Sequence, residues 1–385
     1  MTLPVVVAGH LCLDLLPEMR TLSPAALTSP GRLFEVGALA TATGGAVSNT
    51  GLALDRLGVE VRLVSKVGDD LTGGLIRAIL ERANPRLVAG IGTAPGVASS
   101  YTVVLSPHGQ DRIFLHYGGT NLTFDADSVD MAQVEGAAVF HLGYPPILPA
   151  LLADDGAPLR TIYQRARALG AVTSLDTSHP DPDGASGRAN WRAILSGTLP
   201  YVDLFIPSID EILFMLRRAD YDRWHGATLR YLTRAYLRDL ADELIGMGAA
   251  VSGFKLGEMG VYLKVSDDPA RLRVLSRLPV AVEAWCGAEV YHPAFEVEVV
   301  GTTGAGDCCY AGLIASLLHG FPPQAAARMA NAVGACNVEG PDALSGVRTW
   351  AATLARIEAG WPLKPVRLPD ERSSSLRLDG ESFSR

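Results

Sequence analysis

The stretch Val299-Val300-Gly301-Thr302-Thr303-Gly304-Ala305-Gly306-Asp307 is followed at once by the largely apolar run 308–314. This order predicts a strand, then a turn of small residues, then a helix that begins at the turn. Because Gly304-Ala305-Gly306 has almost no side-chain bulk, its backbone N–H groups can approach an anion closely, and the helix dipole adds partial positive charge. The side-chain carboxylate of Asp307 would lie beside a bound phosphate. A glycine turn with an aspartate cap also begins many ordinary helices, so the segment alone leaves both interpretations open.

A second turn of small residues lies near the N-terminus. Gly44-Gly45 precedes residues 46–57, whose spacing of apolar residues predicts a closely packed helix. Asn49 falls one turn into this helix, and Asp14 follows the first predicted strand, 5–8. A carboxylate, an amide and bare backbone N–H groups form a suitable set for binding neighbouring hydroxyls. Each of these residues also has an ordinary structural role as a turn aspartate, packing glycine or helix cap.

Strand-like and helical segments alternate along most of the chain. The strand-like runs are at 5–8, 59–64, 138–142, 172–175, 204–206 and 251–255. This alternation predicts an α/β domain with a mostly parallel central sheet. Two further runs, 100–105 and 112–117, are joined by turn-forming residues and predict an antiparallel hairpin, either an ordinary surface hairpin or part of a lid. Arg112 could reach a substrate carboxylate or phosphate, but an exposed arginine is the simpler expectation.

The composition excludes several classes of protein. The chain has 385 residues and 48% hydrophobic residues, which is globular rather than disordered. It has 33 basic and 41 acidic residues and a net charge of −8, which argues against general binding of nucleic acid or anionic membranes. No G-x-x-x-x-G-K-[ST] sequence occurs, which excludes a P-loop nucleotide site.

The cysteines and histidines give weaker indications. The five cysteines include no C-x-x-C, which predicts reduced thiols, and with no basic leader a cytoplasmic location is expected. Cys308 and Cys309 are expected to pack rather than react. His10, His116 and His141 could contact a substrate, although isolated histidines more often pack or face solvent.

Four segments, taken together and in order, resemble the PfkB, or ribokinase-like, family of carbohydrate kinases. The segments are Gly44 to Asp70, Asp203 to Glu211, Phe254 to Tyr262 and Thr302 to Gly312. Four ordered motifs are far more specific than any one of them. The likeness extends from about residue 5 to about residue 346.

The resemblance implies a fold and a reaction. The fold would be a single ribokinase-like domain over 1–361, with a three-layer α/β/α core, a mostly parallel central sheet and a small β-sheet lid. The lid segments would lie at about 10–36 and 97–120, and 362–385 would be a C-terminal extension that is loosely held or disordered. The reaction would transfer the γ-phosphoryl group of ATP, with Mg²⁺, to a hydroxyl of a sugar or sugar-like molecule.

The resemblance also implies roles for individual residues. Asp307 would be the general base and Gly304, Ala305 and Gly306 the anion hole. The residues that grip the acceptor would be Asp14, Gly44, Gly45 and Asn49. Those near the nucleotide would be Lys255, Gly257, Gly260, Thr303 and Asn331. Glu211 would organise magnesium and its water.

Two departures from the family pattern keep alternatives open. Gly301 stands where the family often has an aspartate that helps hold a monovalent cation, so activation by potassium is in doubt. Ser208 replaces the asparagine of the family's N-x-x-E segment, which puts the magnesium contact in question. A nucleoside kinase on the same fold and a degenerate, sugar-binding regulatory protein remain alternatives. A dinucleotide oxidoreductase lacks support, because Gly9 does not begin a G-x-G-x-x-G motif. A homodimer formed through the lid is also left open.

Overall fold

The computed structural model describes residues 3–19, 30–106, 112–365 and 368. The strands are β1 Val5–Gly9, β2 Cys12–Pro17, β3 Leu39–Gly44, β4 Val61–Gly68, β5 Ile91–Ala94, β6 Tyr101–Leu105, β7 Ile113–Tyr117, β8 Val139–Gly143, β9 Val172–Asp176, β10 Leu204–Phe205, β11 Val251–Lys255, β12 Val261–Val265 and β13 Glu289–His292. The helices are α1 Ala46–Arg56, α2 Leu71–Ala83, α3 Met131–Val134, α4 Ala153–Ala168, α5 Ala185–Arg188, α6 Trp191–Thr198, α7 Ile209–Leu216, α8 Arg218–Trp224, α9 Arg234–Gly246, α10 Pro269–Leu272, α11 Val282–Trp285, α12 Ala305–Leu318, α13 Pro323–Asn337 and α14 Trp350–Glu358.

Nine strands form the large sheet, in the order β13-β12-β11-β10-β9-β8-β1-β4-β5. The pairings from β11 through β5 are parallel, and β12 runs antiparallel to both of its neighbours. Strands β1, β8 and β9 are buried along their whole length, as expected for a parallel sheet covered by helices on both faces. The mostly parallel sheet predicted from the alternating runs is therefore confirmed.

Successive side chains of β1 enter two separate cores, one on each face of the sheet. Val5 and Val7 pack in the core that includes residues of α1, α12 and α13. Val6 and Ala8 pack in the core that includes residues of α4, α6 and α9. The period of two along a strand thus builds the three-layer α/β/α arrangement.

A separate four-stranded sheet, here called the lid, has the order β3-β2-β6-β7. The predicted hairpin is its β6–β7 pair, and the turn that joins these strands falls mainly on residues 107–111, outside the described residues. Strand β3 extends from Leu39 to Gly44, past the end of the lid segment expected at about 10–36. Lid strand β3 therefore leads directly into the glycine pair that precedes α1. The position of the lid and the position of this turn are linked by that connection.

The chain that follows β13 differs from the strand expected there. Val299 and Val300 form no strand; both are more than half exposed in an extended loop after β13. The backbone of this loop bonds the end of α13 rather than a strand, because Val300 N and Gly301 N donate to Val338 O at 2.8 and 3.2 Å. Residues 362–365, at the start of the expected extension, are held against the same loop, because Lys364 N donates to Ala294 O at 2.8 Å. Residues 366–367 and 369–385 lie outside the described residues.

Within the described part of the chain, no helix is both long and apolar enough to span a bilayer.

Candidate active site

The candidate site lies at the carboxyl ends of the central parallel strands. Gly9 of β1, Gly143 of β8 and Asp176 of β9 are in register across the sheet. The residues that follow the two glycines, His10 and Tyr144, therefore leave the sheet side by side. Ligand sites of open α/β sheets form at this edge, in the crevice that opens where the connections from neighbouring strands cross to opposite sides of the sheet.

The turn before α12 has the predicted form of an anion site. Gly304 is the N-terminal cap of α12 and has a φ of 73°, a left-handed conformation that a side chain would strain. The first-turn N–H groups of a helix have no intrahelical partner and can face an anion. One of them is already engaged, because Ala305 N donates to Thr302 O at 3.3 Å.

Asp307 is buried in the first turn of α12 and is held by three donors. Its side chain is only 2% exposed. Asn49 Nδ2 and the Tyr144 hydroxyl donate to Oδ2 at 3.0 and 2.7 Å, and the Thr50 hydroxyl donates to Oδ1 at 3.3 Å. The glycine turn at α1 and the glycine turn at α12 are thereby joined through one carboxylate. Asn49 Oδ1 has no hydrogen-bond partner in the described part of the chain, which leaves an acceptor for a ligand hydroxyl.

Tyr144 reaches Asp307 from an unusual backbone conformation. Its φ is 68°, one of four positive values found for residues other than glycine in the described chain. Such conformations are costly and concentrate at functional sites. Burial, together with the charge of Asp307, raises the pKa of the Tyr144 hydroxyl well above its ordinary value. The hydroxyl therefore remains a donor to the carboxylate.

Lys255 lies under the glycine turn and forms a buried ion pair. Its Nζ is 2.7 and 2.6 Å from the two carboxylate oxygens of Asp176, and both side chains are buried. A Cβ on Gly306 would lie 3.3 Å from Nζ, so the cation sits against the turn. Burial alone would lower the pKa of Lys255, but the carboxylates of Asp176, Glu211 and Asp307 together raise it. Lys255 therefore keeps a positive charge beside the phosphate-suited turn.

Asp14 and the glycine pair form the lid side of the site. Asp14 lies on β2, and a Cβ on Gly44 would come within 2.2 Å of its Oδ2. A Cβ on Gly45 would come within 2.3 Å of Nδ1 of His10. Gly45 is thus required by its φ of 90° and by the close approach of His10, whereas Gly44 leaves room for the Asp14 carboxylate. Burial raises the pKa of Asp14 to about 6, opposed by hydrogen bonds from Cys12 and Thr102.

Glu211 is fixed at the start of α7. Its Oε2 accepts from Ser208 N at 3.0 Å and from the Thr177 hydroxyl at 2.7 Å. Ser208 is the N-terminal cap of this helix, a position that serine fills well. Burial raises the pKa of Glu211. No cluster of three His, Cys, Asp or Glu suited to a metal occurs in the described residues.

A largely apolar cleft of about 290 Å³ adjoins the turn and runs along α13. Its lining includes the predicted nucleotide-facing residues Lys255, Gly257, Gly260 and Asn331. The Asn331 amide nitrogen lies 3.1 Å from Nδ1 of His292 and also donates to the carbonyl oxygen of Pro293. These bonds hold the Asn331 side chain in the wall of the cleft. Cys309 also lines the cleft, and burial raises the pKa of its thiol to about 12.

Arg112 connects the lid to the glycine turn. One guanidinium nitrogen donates to the Thr302 hydroxyl at 3.0 Å and another to the Thr303 hydroxyl. The expectation of an ordinary exposed arginine is therefore wrong, because the hairpin folds over the site and points this side chain at the turn. Thr303, expected near the nucleotide, contacts Arg112, and the neighbouring Thr302 lines the cleft.

Most of the predicted residues converge, and several important ones were not predicted. Asp307, Asn49 and Lys255 meet around the turn, with Asp14 and the glycine pair on the lid side. Thr50, Tyr144 and Asp176 were missed. Asp176 had a readable signal, because it is an acidic residue at the end of a buried β-rich run. Tyr144 had none, since its position depends on a left-handed backbone that the sequence does not indicate.

Comparisons with known proteins identify the family of this chain. The family model described as pfkB family carbohydrate kinase matches residues 5–350. Fructokinase-1 of Zea mays is 26% identical over 374 residues, covering 92% of this chain and 97% of the relative. A nucleoside kinase of Methanothermobacter thermautotrophicus is 25% identical, covering 84% of this chain and 86% of the relative.

A solved structure has the same fold. The ribokinase of Arabidopsis thaliana in complex with ribose and ATP superposes with a TM-score of 0.68 at 18% identity, covering 92% of this chain and 98% of the ribokinase. The match to the family model over nearly the whole chain is the more specific finding. The chain therefore belongs to the pfkB family of carbohydrate kinases, phosphotransferases that act on an alcohol group.

Proposed function

We propose that this protein transfers the γ-phosphoryl group of ATP to a hydroxyl of a sugar or a closely related polyol. The observation that carries the proposal is the position of the Asp307 carboxylate, which is in the first turn of α12 and bonded to Asn49 of α1. A proton acceptor and a turn suited to phosphate are thus adjacent. The ATP complex of the Arabidopsis ribokinase supports ATP as the phosphoryl donor.

The transfer would proceed in line. The acceptor hydroxyl gives its proton to Asp307 as its oxygen attacks the γ-phosphorus, and the bond from that phosphorus to the bridging oxygen of ADP breaks. The N–H groups of Gly304, Gly306 and, once it leaves Thr302 O, Ala305 would stabilise the negative charge on the transferring group, together with the charge of Lys255. Asn49 and Tyr144 would hold the carboxylate in the orientation needed to receive the proton.

Asp14, Gly44, Gly45 and Asn49 would bind the acceptor, and the cleft along α13 would bind the nucleotide. The cleft is largely apolar, which suits a planar base, and its inner end lies at the glycine turn, which suits the phosphates. Gly257 and Gly260 would let the backbone come close to the nucleotide. Arg112 would link the binding of phosphate at the glycine turn to the position of the lid, since it already donates a hydrogen bond to Thr302 of this turn.

Magnesium fits the acidic side of the site. Mg²⁺ is usually bound through one or two carboxylates, waters and substrate phosphates, and the buried Glu211 carboxylate, which Ser208 N and the Thr177 hydroxyl hold in place, offers a ligand of this kind. Glu211 would hold the ion or its water, helped by Thr177, which fixes the carboxylate. When bound, the ion would neutralise charge on the phosphates. Gly301 provides no carboxylate for a monovalent cation, so we propose activity without potassium.

A nucleoside acceptor is the second candidate, because a nucleoside kinase is among the relatives. A coupled ADP-release screen with Mg-ATP, with and without potassium, over monosaccharides, sugar acids, polyols and nucleosides separates the candidates. The product would be identified by ³¹P NMR. The Asp307→Asn variant, which lacks the proposed base, serves as the negative control for ADP release. If no acceptor yields ADP above this control while sugars still stabilise the protein against heat, the regulatory alternative replaces the kinase.

The single-domain boundary at residue 361 and the cytoplasmic location stay predictions. The lid homodimer also stays a prediction, and Leu39, Ile113 and Leu115 give it an exposed apolar surface on the lid strands. Sedimentation velocity over a range of concentrations tests it, with Leu115→Glu as the disrupting variant. A monomer at all concentrations would contradict it.

A further inference from the structure

His10 stands where the lid meets the large domain. It follows Gly9, the last residue of β1, at the edge of the sheet where Tyr144 also emerges. The centre of its ring lies 5.3 Å from that of His116 on lid strand β7 and 6.2 Å from that of Tyr144. The ring also covers Gly45, whose added Cβ would lie 2.3 Å from Nδ1. His10 therefore borders the space between the lid, the glycine pair and the Tyr144 side chain.

The His10 ring is buried and unpaired. The residue is 3% exposed, and neither Nδ1 nor Nε2 has a hydrogen-bond partner among the residues that the structure describes. Buried polar groups in folded proteins are nearly always hydrogen-bonded. His141, buried in the neighbouring strand β8, differs in that its Nδ1 lies 2.9 Å from the Ser174 hydroxyl. An imidazole that is buried and unpaired at both nitrogens, between the lid and the glycine pair, marks a place where a ligand supplies the partner.

We propose that His10 contacts the acceptor directly and makes the site selective for an uncharged polyhydroxyl molecule. The inference rests on the proposed kinase function and adds a specificity-determining residue to it. Burial, assisted by the nearby His116, lowers the pKa of His10 to about 3, so the ring is neutral at pH 7. A neutral imidazole can either donate to or accept from a hydroxyl at the ring nitrogen that the hydroxyl reaches, and a hydroxyl can take either part.

The charges around His10 point to the same class of acceptor. The acceptor side of the site includes the carboxylates of Asp14 and Asp307, the amide of Asn49 and the hydroxyl of Tyr144, while His116 and Tyr144 are the rings next to His10. Lys255 is engaged by Asp176, and Arg112 by the hydroxyls of the glycine turn. An acceptor with a carboxylate or phosphate on this side of the site would meet the charges of Asp14 and Asp307 with no free cation among the described residues to balance its own charge, which is unfavourable.

The test compares wild-type protein with His10→Asn and with the control His225→Asn. His225 is an exposed histidine with a φ of 42°, a conformation that asparagine tolerates. In the ADP-release assay with the best neutral acceptor, we expect His10→Asn to raise KM about 10-fold or more, with kcat within about 3-fold and KM for ATP unchanged. The control should match wild type.

Each outcome supports the inference or overturns it. If wild type phosphorylates a neutral acceptor and His10→Asn keeps the same KM, the His10 inference is wrong while the kinase function stands. Preference of the wild type for a sugar acid or a sugar phosphate overturns the selectivity. If wild type phosphorylates nothing in the screen, the kinase proposal itself fails, and the His10 role with it.

A second measurement covers the case in which His10→Asn does not fold, as judged by circular dichroism. A crystal structure of the wild-type protein with its best acceptor should show an acceptor oxygen within about 3.2 Å of a His10 ring nitrogen. An acceptor bound in the site with no contact to either nitrogen overturns the inference.

Discussion

Replacing Asp14 with asparagine should make the protein more stable and a poorer kinase at the same time. Burial raises the pKa of Asp14 from 3.8 to about 6. Between these pH values the folded protein binds a proton that the unfolded chain has released, so stability falls as pH rises through this window. At about 1.4 kcal/mol per pH unit, the cost above pH 6 is up to about 3 kcal/mol. Because the new amide must still fit beside Cys12 and Thr102, we expect a gain of about 1–3 kcal/mol at pH 7.5.

Urea unfolding at pH 7.5 and at pH 4 measures this gain. It should be present at pH 7.5 and nearly absent at pH 4, where the wild-type carboxyl is already protonated in the folded state. Asp127→Asn is the matched control, because the Asp127 side chain is 86% exposed and its ion pair with Arg165 contributes under about 1 kcal/mol. KM for the acceptor should rise about 10-fold in Asp14→Asn and in wild type below pH 6. A variant that is less stable at pH 7.5, or equally stabilised at both pH values, would refute the reasoning.

Three further substitutions test other contacts of the site. Lys255→Met leaves the Asp176 carboxylate buried without its cation and should cost about 3–5 kcal/mol in urea unfolding, with most of the loss restored by adding Asp176→Asn; an unchanged midpoint would contradict the buried pair. Tyr144→Phe removes one donor to Asp307 and should lower kcat about 10-fold with little change in acceptor KM, whereas a change confined to KM would assign Tyr144 to binding. Arg112→Gln weakens the contact of the lid with the turn and should raise acceptor KM about 3- to 10-fold without shifting the thermal midpoint; unchanged kinetics would mean that this contact has no part in lid closure.

The sequence was most informative where one short segment determines both backbone and chemistry. The Gly304-Ala305-Gly306 turn begins α12 as predicted, because a left-handed cap requires glycine and the following apolar run requires a helix. The alternating buried runs likewise predicted the parallel sheet. The strand predicted from Val299 and Val300 is not formed, since β-branched residues make a strand only where a neighbouring strand pairs with them, and here Val300 N and Gly301 N donate to Val338 O after α13.

Contacts between distant segments could not be read from the sequence. Arg112 is 190 residues from Thr302, and their hydrogen bond depends on how the lid closes over the turn. The roles of Tyr144 and His10 depend on the register of β1 and β8, which brings two unrelated residues to the same edge. Asp176 was visible as an acid at the end of a strand, but its pairing with Lys255 required the order of β9, β10 and β11.

The most direct test of the central claim is the single-turnover rate of Asp307→Asn with bound ATP and acceptor, with the acceptor Kd measured separately by calorimetry. If Asp307 accepts the proton of the attacking hydroxyl, the Kd should stay within a few-fold of wild type and the rate should fall about 10²- to 10⁴-fold. A variant that binds the acceptor normally and transfers the phosphoryl group at nearly the wild-type rate would contradict the claim.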